Sequence, residues 1–111
     1  MELKLNIYNK KSIEKTYTTD TYDLMFGTVE DFMNLIDVDQ IKTGTDTEIA
    51  MLVVKAIPKG MGTIKELLKD VFDGLTDDEL KNTRVKDITR VLVSIVKSSI
   101  LEINKGVDEK N

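Results

Sequence analysis

The 111-residue chain contains no cysteine, no histidine and no tryptophan, and it has a single proline. Without cysteine it forms neither a disulfide nor a thiolate zinc site. Without histidine it lacks the commonest general base and the commonest ligand of transition metals. These absences remove most nucleophilic and metal-assisted mechanisms. We therefore expect a protein that is not an enzyme, with no catalytic residues, no cofactor and no metal ion.

Long apolar runs and excess positive charge are also missing. No run approaches the roughly 18 apolar residues that span a bilayer, so no membrane partner is expected. The formal net charge of −4 argues against a nucleic-acid partner, because phosphate contacts need a concentrated basic face. The first residues, MELKLNIYNKK, alternate where a signal peptide has a continuous apolar segment. A cytoplasmic protein is expected.

The first twenty residues predict a β-hairpin. In ELKLNIYN, Leu3, Leu5 and Ile7 alternate with polar residues, which is typical of a strand with one buried face. The segment SIEKTYT follows an Asn-containing turn and is rich in β-branched and aromatic residues. These two segments would pair as a small antiparallel sheet.

The rest of the chain has helical periodicity with recognisable helix starts. A threonine followed three residues later by glutamate, the spacing of a capping box, occurs at Thr45/Glu48, Thr63/Glu66 and Thr76/Glu79. Thr28 is placed to cap an earlier helix. Helix ends are predicted at Pro58 with Gly60, and at Gly74.

The last segment, about 83–105, predicts a long helix that ends at Gly106. Its VLVSIVKSSI core is β-branched, but apolar residues recur at helical spacing over about six turns, which favours a helix. The predicted fold class is α+β: an N-terminal β-hairpin followed by a mostly helical bundle with a long C-terminal helix. We expect a single domain over 1–105 and a flexible tail over 106–111.

The stretch VFDGLTDDELKN is the most suggestive of chemistry, because four of seven consecutive positions from Asp73 to Glu79 are acidic. A calcium loop needs a ladder of acids at alternate positions before a glycine and a glutamate farther on, whereas in this run Gly74 directly follows Asp73 without such a ladder. Acids in the first turn of a helix are stabilised by its dipole and by the capping box. The stretch therefore predicts a helix start and no metal site.

A Ser–Lys pair is the other arrangement with catalytic potential. Ser94, Ser98 and Ser99 are close in sequence to Lys97 on the last helix. Small residues that allow close helix packing are far commoner than such a dyad, so no catalytic role is predicted for them.

An interaction surface is the remaining functional reading. The last helix has apolar residues on more than one stripe, and methionines supply flexible apolar side chains elsewhere. Such residues are either core or interface, and the sequence leaves both open. The candidate partner-binding residues are Val91, Val93, Ile100, Leu101, Met51 and Met61.

The order of elements and the phrase VFDGLTDDELKN resemble the small tail assembly chaperones of long-tailed, siphovirus-type bacteriophages and prophages of Gram-positive bacteria. The resemblance implies a non-catalytic protein that binds the helical, aggregation-prone tape measure protein, keeps it soluble and helps recruit the tail tube protein. It also implies action in the host bacterial cytoplasm and absence from the mature virion. Self-association is compatible with it.

Two other functions stay open. NTRVKDITR brings Arg84, Lys86 and Arg90 together, as in a small phage or bacterial DNA-binding regulator, although Asp87 interrupts them. Such a regulator would give a salt-dependent mobility shift with duplex DNA. A structural subunit of the tail or neck, such as a tail terminator or connector, would instead be found in purified particles.

Overall fold

The computed structural model describes residues 2–20 and 24–109, and the side chains of 2–20 and 24–99. The sheet has two strands, β1 (Glu2–Asn9) and β2 (Ser12–Asp20). The helices are α1 (Phe26–Met33), α2 (Asp46–Ala56), α3 (Met61–Val71), α4 (Asp77–Leu80) and α5 (Val85–Glu109), with short 3-10 turns at Val38–Gln40 and Ile57–Lys59. The predicted α+β fold, a hairpin followed by helices with a long C-terminal one, is confirmed.

The hairpin buries one face of β1. Its strands are antiparallel, with Leu5 opposite Tyr17. Leu3, Leu5 and Ile7 are almost fully buried, while β2 is largely exposed. A two-stranded sheet is marginal in water by itself, so this apolar row has to be covered. Helix α5 covers it, and the backbone N–H of Tyr8 donates to the Asn82 carbonyl at 2.9 Å.

Helix α5 lies at the centre of one apolar core. Leu92, Ile95 and Val96 have no exposed surface. Helix α5 contacts β1, α1 and α2, while α3 packs on α1. An ion pair of 2.7 Å between Lys97 Nζ and Asp46 Oδ1 joins α5 to the start of α2. The apolar residues of α5 from Val91 to Val96 are thus used inside the fold, whereas Val85 at the start of the helix is 69% exposed.

Two of the predicted helix starts are confirmed. Thr45 caps α2 by accepting from the Glu48 N–H at 3.3 Å. The Glu48 carboxylate accepts from the backbone N–H groups of residues 42–44, and not from Thr45. These hydrogen bonds lower the pKa of Glu48, and the one from Gly44 has the largest effect. Thr76 and Glu79 form a complete capping box at α4.

The other two predicted helix starts are wrong. Helix α3 begins at Met61, with Gly60 as its N-cap, so Thr63 lies inside the first turn. At Gly60 the Leu35 side chain lies so close to the backbone that a Cβ would collide with it. Thr28 also lies inside its helix, and its hydroxyl donates to Asp70 Oδ2 at 2.9 Å. It joins α1 to α3 and does not cap.

The end of α5 also differs from the prediction. The helix continues to Glu109 and passes Gly106. Glycine disfavours a helix interior by about 1 kcal/mol relative to alanine, which weakens a helix without forcing it to end. The flexibility predicted for 106–111 stays a prediction, and residues 110 and 111 lie outside the described residues.

Gly74, at the bend between α3 and α4, has a φ of +88°, a value that L side chains rarely adopt. A Cβ there would meet nothing within 4 Å, so its cost is backbone strain alone. We expect Gly74→Ala to lower the free energy of unfolding by about 1–2 kcal/mol, measured by urea denaturation followed by circular dichroism.

Gly62→Ala is the matched control for this prediction. Gly62 lies in the first turn of α3, also with nothing within 4 Å of a Cβ and with ordinary backbone. Alanine there should leave stability unchanged or raise it by up to about 1 kcal/mol. Equal effects of the two substitutions would show that the conformation of Gly74 is not what the bend requires.

Candidate partner-binding groove

The stretch VFDGLTDDELKN forms the bend that joins α3 to α4. Phe72 and Leu75 are buried on its inner side. Thr76 Oγ1 accepts from the Glu79 N–H at 3.2 Å, and Glu79 Oε1 accepts from the Thr76 N–H at 3.1 Å. The predicted role of these acids at a helix start is confirmed. Among the described residues, no group of three or more acidic side chains is arranged to hold a metal ion.

Glu79 also connects this bend to the hairpin. The Tyr17 hydroxyl donates to Glu79 Oε1 at 2.6 Å, and Lys15 Nζ lies 3.5 Å from Oε2. The pKa of Glu79 is lowered chiefly by the hydrogen bond from Tyr17. The hydrogen bond from Thr76 and the charge of Lys15 lower it further. The rings of Tyr17 and Phe72 are 6.3 Å apart at a tilt of 55°. Strand β2 is thereby held against the bend.

An open apolar groove of about 550 Å³ lies beside this bend. Buried Ile64 and Leu68 of α3 line its floor. Three half-buried apolar side chains from neighbouring elements extend this lining. They are Ile57, Leu80 and Ile88. Met61 and Val85 also line the groove and are 56% and 69% exposed. The apolar surface is therefore continuous from the core to the solvent.

The polar residues that line the groove are exposed and mostly basic. They are Lys65, Asp77 and Lys81. Asp77 accepts from Lys69 Nζ at 2.6 Å. This contact first, with weaker attraction from Lys65 and Lys81, lowers the pKa of Asp77. One carboxylate thus faces several ammonium groups, and the rim of the groove is positive although the whole chain is negative.

Two of the six predicted partner-binding residues are exposed methionines. Met61 lines the groove. Met51 is 58% exposed on α2, three residues from Val54, which is 52% exposed. Because residues three apart share a helix face, Met51 and Val54 form a second, smaller apolar patch.

The other four predicted partner-binding residues are on α5. Val91 is 3% exposed and lies in the core, so its side chain is not on the surface of the folded chain. Val93 is half-buried and packs against the same core. The side chains of Ile100 and Leu101 lie outside the described residues. Among the described side chains, Met61 is the only predicted partner-binding residue that lines the groove, and of the lining residues that sequence reasoning missed, Val85 and Ile88 are on the first turns of α5.

Two of the three basic residues of NTRVKDITR contact side chains of the fold. The Arg84 guanidinium lies over the Tyr8 ring, 4.1 Å from its centroid. Arg90 Nη1 is 4.0 Å from Oδ1 of the buried Asp87, whose Oδ2 accepts from the Tyr8 hydroxyl at 3.1 Å. The Arg side chains thus contact the hairpin and the helix start. Both arginines and Lys86 are nevertheless exposed, so DNA binding through the stretch stays an open alternative.

The Ser–Lys pair is engaged in structural contacts. The Ser94 hydroxyl donates to the Arg90 carbonyl at 3.0 Å, within its own helix. Lys97 Nζ donates to Asp46 Oδ1 at 2.7 Å. Neither side chain is directed to the other by a hydrogen bond, so the pair has no geometry of an activated nucleophile.

Comparison of the chain with protein-family models, curated proteins and solved structures finds no match. In the part of the chain that the structure describes, no helix has the length and apolar content that crossing a membrane requires.

The Tyr17–Glu79 hydrogen bond predicts a pH dependence of stability. A carboxyl whose pKa is lowered by folding stabilises the fold above its ordinary pKa of 4.5 and loses that contribution as the pH falls through the lower folded value. Tyr17→Phe should therefore be less stable than the unchanged chain at pH 7. The difference should shrink below pH 4.5, as measured by urea denaturation at a series of pH values.

Glu79→Gln provides the matched background, because it keeps a hydrogen-bond acceptor at residue 79 but has no carboxyl to titrate. In that background Tyr17→Phe should change stability by an amount that does not vary between pH 7 and pH 3. A difference that is also constant over this range in the unchanged background would contradict the assigned partner.

Proposed function

We propose that the groove binds an amphipathic helix of a partner protein, and that the chain is a phage tail assembly chaperone whose partner is the tape measure protein. The proposal is supported by the groove together with the likeness of element order and of VFDGLTDDELKN to that class of chaperones. The chaperone would act without catalysis in the host bacterial cytoplasm and leave before the virion is complete.

The observation that carries the proposal is the open apolar groove. Its floor is the buried side of α3 at Ile64 and Leu68, and its polar groups are exposed. A small-molecule site needs a few polar groups placed inside the pocket to orient the ligand. A helix in a groove needs only an apolar surface for its row of residues at i, i+3 or i+4, and i+7. The lining therefore suits a helix better than a small molecule.

The edge residues suit a reversible contact with many related helices. Met61 has a flexible side chain, and such side chains adapt to different apolar partners. A tape measure protein presents many similar helical segments, which have to be covered and later released to the tail tube. The small patch of Met51 and Val54 on α2 is separate from the groove lining and is available for the tail tube protein or for self-association.

Met61→Asp tests the groove by co-expression with the tape measure protein of the same phage. Burying a methionine contributes about 1.5–3 kcal/mol, so replacing it with a carboxylate should weaken the complex at least about tenfold. The variant should lose co-purification and leave more tape measure protein insoluble. The chain alone should stay folded, because Met61 is 56% exposed.

Met51→Asp is the matched control, since Met51 is similarly exposed and lies outside the groove lining. It should keep the tape measure protein soluble. If the unchanged chain neither raises the solubility of the tape measure protein nor co-purifies with it, the proposed function is wrong. Finding the chain in purified virions would instead favour a structural subunit of the tail or neck.

A further inference from the structure

The charge of the rim restricts the kind of helix that the groove accepts. We infer, on the basis of the proposed function, that the groove selects amphipathic helices whose apolar row is flanked by glutamate or aspartate. The partner segment would thus be an acidic helix, although the chain that binds it is itself acidic overall.

The rim of the groove carries two lysines that have no ion-pair partner among the described side chains. Lys69 pairs with Asp77 at 2.6 Å. Lys65 and Lys81 are near the same carboxylate, but neither forms an ion pair with it or with another of the described side chains. Two ammonium groups are therefore left to meet the charges of a ligand.

These lysines lie on two sides of the apolar surface of the groove. Met61, Lys65 and Lys69 are four residues apart on α3 and share one face of the helix. Lys81 follows α4, on another side of the groove lining. Lysine stems cover apolar surface while the ammonium groups stay in water. A helix in the groove would meet apolar stems beside its central row and positive charge at its flanks.

The charge of the rim also bears on whether a second copy of the chain could occupy the groove. A symmetric dimer through this groove would place the same surface on both sides of the interface. The unpaired lysines of one rim would then approach those of the other, and like charges placed together destabilise a complex. The charge arrangement thus favours a partner of opposite charge over self-association here.

Two synthetic peptides test the inference against the full chain. Both are helices of about 18 residues with the same leucines at i, i+3, i+4 and i+7, and their flanking positions are all glutamate or all lysine. Fluorescence anisotropy should show that the glutamate peptide binds about tenfold more tightly at low salt. The difference should nearly vanish in about 0.5 M sodium chloride, where exposed charges are screened.

The double variant Lys65→Gln with Lys81→Gln should remove most of the preference while keeping the leucine-dependent binding. Lys11→Gln with Lys55→Gln changes the net charge by the same amount at exposed positions outside the groove lining. This control should keep most of the preference. Circular dichroism confirms that both double variants are folded.

The outcomes separate the inference from the proposed function. Equal affinity for the two peptides, or an equal loss of preference in both double variants, overturns the inference and leaves a helix-binding groove in place. Binding of neither peptide overturns both. A dimer in sedimentation velocity that Met61→Asp dissociates would identify a second copy as the occupant and would also overturn the inference.

Discussion

Burial of the single apolar face of the hairpin against α5 is the contact on which the other elements depend. Two strands are too few to be stable in water, so Leu3, Leu5 and Ile7 need a cover. Helix α5 provides it, and the same helix also covers α2. A helix packed on two sides needs apolar residues on more than one stripe, which accounts for the composition of VLVSIVKSSI over its described side chains.

Glu79 couples this core arrangement to the groove. Its carboxylate starts α4 through the Thr76 capping box and also accepts from the Tyr17 hydroxyl of the hairpin. The capping box thus fixes the backbone of the bend, and the Tyr17 hydroxyl ties its Glu79 side chain to the hairpin. Together these contacts set the direction in which α4 leaves α3. With α4 in this direction, Leu80 of α4 and Leu68 of α3 line the same groove. An acid that looks like part of a reactive site positions one side of the groove instead.

Local patterns predicted the elements, and contacts between distant residues decided the rest. The alternation in β1 and the Thr76–Glu79 box need only neighbouring residues, and both are confirmed. Thr63 does not cap α3, because the helix begins at Met61, next to the contact of Gly60 with Leu35. The contact of Tyr17 with Glu79 spans 62 residues and leaves no local pattern. Periodicity likewise gives Met61 and Val91 the same apolar character, and only packing separates edge from core.

The groove also shows why overall charge is a poor guide to a local surface. A net charge of −4 argues against a polyanion that contacts many phosphates, since such binding needs a large basic face. A single helix contacts only a few side chains, so a few lysines beside an apolar floor are enough to choose its charge. The floor itself, Ile64 and Leu68, belongs to the core and is therefore rigid. A rigid apolar floor with a flexible charged rim would give the proposed selection by charge without requiring a unique apolar sequence.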